Sequence, residues 1–237
     1  MNRCARTALL AGAAAAAALS LGACAGVMED RVQQDVRETV RAGPAPVVHV
    51  DNIAGEVRIE GTPGSAVEIA ATKYGYDEND LKRTRIAVQV AGEGVFIETT
   101  YSGGAHRGGV RYRIGVPAGA SVQVSNVAGA VEVGGVSGDI TVETQAGVIE
   151  ADAGRVAGSR AIDLRATTGA ISLSIKDGSS ASVEAASTVG AFSSNVPGLT
   201  ENREHVVGSK ASGLIGSGSA TIRLETTTGA ISLRERT

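Results

Sequence analysis

The seven residues Thr-Thr-Gly-Ala-Ile-Ser-Leu occur at 167–173 and again, unchanged, at 227–233. Weaker copies surround Gly55 (Val-Asp-Asn-Ile-Ala-Gly-Glu-Val-Arg-Ile), Gly129 (Val-Ser-Asn-Val-Ala-Gly-Ala-Val-Glu-Val), Gly147 and Gly190. Self-similarity at a recurring period marks a supersecondary unit stacked on itself. Glycines 129, 147, 169, 190 and 229 are separated by steps of 18, 22, 21 and 39 residues, the last read as close to two further steps. The period is thus about twenty residues. Within each copy apolar residues alternate (Val131, Val133; Ile171, Leu173, Ile175; Ile222, Leu224), as in a strand with one face buried and one wet. Shorter beats at Gly138 and Gly178 divide a unit into two short strands and two turns. Glycine suits the bend, where the chain must take positive φ or let a neighbouring rung pass close. Asn just before it tolerates the left-handed region, and Thr favours the strand.

The fold expected is all-β: a β-solenoid or β-helix-like stack of short strands with rungs of about twenty residues. Only 3% of the 237 residues are aromatic, none of them Trp, and 32 are Gly, a composition for a thin core of Val, Ile, Leu and Ala. Between about 72 and 120 the repeat phrase is lost, but Ile86–Val90, Val95–Ile97 and Val110–Val116 still alternate. These segments predict an antiparallel section in the N-terminal half.

The first 24 residues carry Arg3 and Arg6, an Ala/Leu-rich apolar run over 8–20, then Leu21-Gly22-Ala23-Cys24. Small residues before a cysteine resemble the bacterial lipobox, in which the cysteine is lipidated and becomes the mature first residue. The reading is therefore a signal peptide over 1–23, a lipidated N-terminus and tether over 24–46, and a repeat domain over 47–237. Cys4 leaves with the signal, so no disulfide is expected in the mature chain. Several acyl chains on one residue anchor stably where one does not, and Ala25 after Cys24 implies the outer membrane, facing the periplasm or cell surface. Within the tether, Val32, Val36 and Val40 fit either a helical stripe or one face of a strand. Gly43-Pro44-Ala45-Pro46 stops either one.

From Val47 to Thr237 the chain resembles bacterial β-strand-repeat envelope proteins of unknown function, the putative-adhesin family. The residues that carry the resemblance are the phrase around Gly55, the strand ending Ile114-Gly-Val-Pro117-Ala-Gly-Ala-Ser-Val, Gly138-Asp-Ile-Thr-Val, and Gly216-Ser-Gly218-Ser-Ala-Thr-Ile-Arg-Leu. Several phrases read Gly-Ala-Ile or Gly-Ala-Val where that family often has Gly-Asp-Ile. The resemblance implies a β-repeat body in the envelope, with roles such as adhesion or envelope-stress signalling, and carries over no catalytic residues.

With 22 basic and 25 acidic residues and no basic cluster, nucleic acid is not an expected partner. Asp139, Glu150, Asp152 and Asp163 could form a carboxylate ladder for calcium, but the spacing lacks the required nonapeptide. Gly213–Gly218 lacks the helix a phosphate cradle needs. His49, His106 and His205 share no zinc or relay spacing, and no serine sits in a nucleophile elbow. No metal, cofactor or catalytic residue is expected. A polysaccharide-active β-helix enzyme is the alternative, and dispersed charges with few aromatic platforms speak against it. Contacts with an envelope or surface protein partner are expected instead at two irregular loops, through Tyr74, Tyr76, Tyr101, His106 and Arg107, with Pro197–Lys210 a third irregular segment.

If the lipobox is read correctly, mature protein from the native envelope has an intact mass above that of its bare polypeptide. Cys24→Ser then moves it out of the membrane fraction. A wild-type mass equal to the unmodified chain would sink the assignment.

Overall fold

A computed structural model describes residues 32–104, 107–202 and 208–237. The signal peptide, Cys24, His106 and His205 lie outside the described residues.

Among the described residues, nineteen strands form two facing sheets, A and B, with one short helix. Most of the chain repeats one path: a strand in sheet B, a glycine corner, a strand in sheet A, a turn, and back. The rungs are β2 (Val47–Ala54) with β3 (Val57–Thr62), β8 (Ser121–Ala128) with β9 (Val131–Gly134), and β10 (Ile140–Ala146) with β11 (Ile149–Asp152). They continue with β12 (Ala161–Thr168) and β13 (Ile171–Lys176), β14 (Ala181–Val189) and β15 (Phe192–Ser194), and β18 (Ala220–Thr228) and β19 (Ile231–Arg236). This is the expected β-solenoid, with parallel strands in register from rung to rung.

In-register stacking lines up like residues. In sheet B, Val50, Val124, Val142, Leu164, Leu224 and Ala185 form one inward column, and Val57, Val131, Ile149, Ile171, Ile231 and Phe192 form one in sheet A. All are buried, and each large aliphatic side chain contributes about 1.5–3 kcal/mol by leaving water.

The order of the stack departs from the order of the chain. Gly229 does not follow Gly190 by two steps. The rung β18/β19 inserts between β12/β13 and β14/β15. The intervening residues instead form a hairpin, β16 (Leu199–Asn202) and β17 (Ser209–Ile215), antiparallel on the far edge of β14. The two identical heptapeptides are therefore direct neighbours, with Ile171 beside Ile231 and Leu173 beside Leu233.

The corner glycines 55, 129, 147, 169, 229 and 190 form a column in that spatial order. A Cβ on each from Gly129 onward would overlap the carbonyl oxygen of the glycine one rung before, and on Gly55 that of Val110. Gly129 has φ +131° and Gly169 φ +145°, a region side chains avoid. Backbone bonds cross the corner at Gly55 N–H to Ala128 O (2.9 Å), Gly147 N–H to Thr168 O (3.0 Å) and Gly169 N–H to Thr228 O (2.9 Å). Three positions before Gly129, Gly229 and Gly190 a buried polar residue does more than tolerate a turn. Asn126 Nδ2 donates to Gly55 O (3.3 Å), Thr226 Oγ1 to Gly169 O (3.2 Å) and Ser187 Oγ to Gly229 O (2.9 Å), which satisfies carbonyls inside the fold.

The opposite turns are tied by Arg160, 7% exposed, whose guanidinium donates to Gly138 O (2.7 Å) and Val136 O (2.8 Å) and also to Ala153 O. One side chain thus links the turns of two rungs.

The N-terminal end is antiparallel as expected, but mixed. β6 (Gly94–Tyr101) and β7 (Gly108–Pro117) run parallel to β2 and β3. β4 (Ala66–Gly75) pairs antiparallel with β7, and β5 (Thr84–Ala91) with β6. Val32–Arg41, read from sequence as tether, is strand β1, antiparallel to β4, with Val36 and Val40 packed on the core. Of the two readings of that valine spacing, the strand holds, and paired structure starts well before Val47.

Gly169→Val should cost on the order of 3 kcal/mol or more, since strained φ and overpacking each cost about 1–3 kcal/mol. Ala170→Ser, at a half-exposed position, should be near neutral. Thermal melts of the two variants check this, and equal, negligible losses would contradict the corner's role.

Candidate functional site

The rung β6/β7 has no glycine corner. Its strands are joined by residues 102–107, and the next connection outward, from β4 to β5, runs through α1 (Glu78–Arg83). The expected loop at Tyr74–Asp80 is thus partly helical. Asp77 caps this turn by accepting from Asn79 N–H (2.8 Å) and Asp80 N–H (3.0 Å), while buried Asp80 accepts from Tyr76 N–H (3.0 Å). Gly75 leaves room for the Asp80 side chain.

These two irregular corners are adjacent. Tyr76 N–H donates to Arg107 O (3.1 Å), and Ser102 N–H to Arg83 O (3.0 Å). All four tyrosines of the chain gather here. The Arg111 guanidinium lies 4.3 Å from the centre of the Tyr74 ring, and Arg107 lies 5.9 Å from that of Tyr76, both within reach of cation–π attraction. A glycine is explained here too, because the carbonyl oxygen of Ala54 and the hydroxyl end of Tyr74 occupy the space a Cβ on Gly109 would take.

The four rings divide by burial. Tyr112 is 1% exposed and shares a 2.7 Å hydrogen bond with Thr99 Oγ1. Burial pushes its pKa up to about 12, partly opposed by that bond. Tyr101 is half-buried and also pushed up to about 12, by burial and then by the nearby Tyr74 and Tyr112. Lys73 donates to Thr84 O (2.9 Å), and burial lowers its pKa. Tyr76, by contrast, is 47% exposed, and Arg107 beside it is exposed as well.

Of the expected contact residues, Tyr74, Tyr76, Tyr101 and Arg107 therefore come together. Arg111 and Tyr112 were missed because they read as ordinary members of an alternating strand. The Gly108-Gly109 pair at its start was the available signal, since adjacent glycines in a strand mark a close approach by another group.

The other candidates separate. Asp163 faces outward from sheet B and holds Arg165 at 2.6 Å, while Glu150 and Asp152 belong to sheet A, with Asp152 paired to Arg236. Asp139 accepts from Ala161 N–H (2.8 Å). His49 stacks on Phe96, ring centres 4.5 Å apart. Gly213–Gly218 lies in and after β17, and a strand follows it. Among the described residues, no group of three or more His, Cys, Asp or Glu side chains is placed to hold a metal ion, and no helix is long and apolar enough to cross a membrane.

Residues 115–234, covering the stacked rungs from the end of β7 onward, match the family described as Toastrack DUF4097. The chain belongs to that family. The Toastrack body is similar in fold to a "putative cell adhesion protein" from Clostridium sporogenes, at 14% identity and a TM-score of 0.60 over 86% of this chain and 100% of the other. A "putative adhesin" from Bacteroides fragilis aligns at 10% identity with a TM-score of 0.28, over 86% of this chain and 97% of the other. Among curated proteins, none matches the sequence.

Tyr112 and the half-buried Tyr101 stay neutral in the folded protein to higher pH than in the unfolded chain, where the phenol titrates near 10. Their stabilisation is present below about pH 10 and is lost as pH rises from about 10 to 12. Tyr112→Phe should flatten that alkaline loss, as read by denaturant midpoints at pH 8 and pH 11. An unchanged difference between the two pH values would contradict this.

Proposed function

We propose that this Toastrack protein is a non-catalytic, lipid-anchored protein of the cell envelope that binds a partner protein at its tyrosine corner, in adhesion or envelope-stress signalling. The carrying observation is the exposed Tyr76 ring beside Arg107 at the place where the glycine column ends. Tyrosine and arginine supply contact area and hydrogen bonds at low entropic cost, and here both are seated on short, braced connections.

Three further features support the reading. The Leu-Gly-Ala-Cys24 signal provides an outer-membrane anchor with the body facing the periplasm or surface. The described chain enters the body at Val32, which pairs with Gly75 beside Tyr74, so the anchor leads directly to the tyrosine corner. The solved structure of similar fold is named for cell adhesion. Tyr74 and Tyr101 serve the corner from beneath, and His106 belongs to the same loop as Arg107.

Photo-crosslinking of full-length protein in its native envelope tests this. Tyr76→Ala combined with Arg107→Ala should cut recovery of crosslinked partners at least fivefold, while membrane fractionation and melting temperature stay unchanged. Leu214→Ala, a control at an exposed site on the distant hairpin, should leave recovery intact. Unchanged recovery in the double variant, or turnover of an envelope polysaccharide by purified protein, would overturn the proposal.

A further inference from the structure

The two ends of the stack differ. Where the C-terminal rungs finish the stack, the outermost strands are short, 3 residues in β15 and 4 in β16. At the other end they are long, 10 residues in β1 and 8 in β5, and among the described residues each is paired on one side only. A long edge presents a row of N–H and C=O groups to any strand that lies beside it. Side-chain cover is also incomplete at this end: Val36, Val40, Ile86 and Val88 are half-buried against the core, and Val90 is 51% exposed.

We propose that β1 pairs with β1 of a second copy of this chain, antiparallel about a two-fold axis at Val36, so that sheet A runs continuously through both molecules. The argument is the charge pattern of Val32-Gln-Gln-Asp-Val-Arg-Glu-Thr-Val-Arg41. Directly opposed residues of an antiparallel pair point to the same face, so a two-fold pairing must be centred on a residue. Centred on Val36, the strand sets Val36 against itself and Val32 against Val40 of the second copy on the inward face. On the outward face it sets Asp35 against Arg37 of the second copy, twice by symmetry.

Neighbouring registers fail on charge. Centring on Asp35, Arg37 or Glu38 places each of these against its own like charge, and centring on Thr39 sets Arg37 against Arg41. Glu38 lies on the inward row opposite Ile69, where a charge at an edge ordinarily deters pairing. In the Val36 register it meets Gln34 of the second copy, whose amide donates to a carboxylate. Within β1, only the Val36 register forms opposite-charge pairs without opposing like charges, and a two-fold contact of this kind closes as a dimer instead of extending into a fibre. The second copy would also approach the partly covered valines and isoleucine of β1 and β5. This inference stands independently of the tyrosine corner.

Detergent-solubilised full-length protein provides the test. In the Val36 register the two Val36 Cα atoms stand about 4.5–5.5 Å apart, within the span of a disulfide. Val36→Cys should give an intermolecular disulfide that peptide mapping places at position 36 in both copies. Gln34→Cys, whose two copies would be about 13 Å apart along the strands, should not. Sedimentation should show a dimer whose dissociation constant rises about tenfold in Asp35→Arg and in Arg37→Asp, through lost and reversed ion pairs. The double swap Asp35→Arg/Arg37→Asp should return it to within about twofold of wild type. Melting curves confirm that each variant is folded. A wild-type monomer, equal crosslinking at 34 and 36, a dimer indifferent to the swaps, or β1 covered by a different protein or by this chain's own residues would each overturn the proposal.

Discussion

The structure depends on carbonyl oxygens passing through the space where corner side chains would otherwise be. At each bend the glycine of one rung admits the carbonyl of the rung before it, and a backbone N–H closes the gap to the strand beyond. Without that approach, the sheets on either side of the corner could not keep the same register. At three corners a polar residue three places earlier completes the arrangement by donating to the carbonyl of the neighbouring corner glycine: Asn126, Thr226 and Ser187. Backbone packing, hydrogen bonding and the apolar columns are thus one cooperative construction, in which no rung is stable alone.

The candidate site lies where this construction stops. At β6/β7 the corner glycine is absent, and Val110 O meets Gly55 in the role that a glycine carbonyl fills elsewhere. Freed from the spacing of the column, the chain builds a longer connection and a helical turn. Buried and half-buried tyrosines and the capping Asp77 brace both, so that Tyr76 and Arg107 are exposed on supported backbone. Interior rungs have small or hydroxyl residues at the corresponding surface, such as Thr167, Ala170, Thr227 and Ala230. Irregularity and chemical variety therefore coincide at the end of the stack.

The inserted C-terminal rung makes the middle of the stack depend on the end of the chain. β18/β19 is paired on both sides, and β14/β15 reaches the rest of the solenoid through it. Contacts of such sequence separation are costly to close and slow folding. The antiparallel hairpin β16/β17 reverses the chain and delivers β18 to its slot, while covering the edge of β14 that would otherwise be open.

Sequence alone determined the elements that follow from local periodicity. Alternation of Ile171, Leu173 and Ile175 requires a half-buried strand, and a glycine recurring about every twenty residues requires a bend. The all-β stack was readable for that reason, and so was the loss of the repeat phrase over 72–120, though not that β6 and β7 there still form a parallel rung. Grouping of the tyrosine loops was readable only as composition, since nothing in a linear chain says that 74–76 and 101–107 meet. Tertiary structure alone decided the order of the rungs. The repeated heptapeptide specifies what packs well against it, which is its own copy, and not which copy lies next in the chain. It also decided that the asparagines beside the bends are interior donors, that Val32–Arg41 joins a sheet, and that Arg111 and Tyr112 share the tyrosine corner. Each of these depends on what a distant segment places opposite a residue, and the alternating pattern is the same whatever stands there.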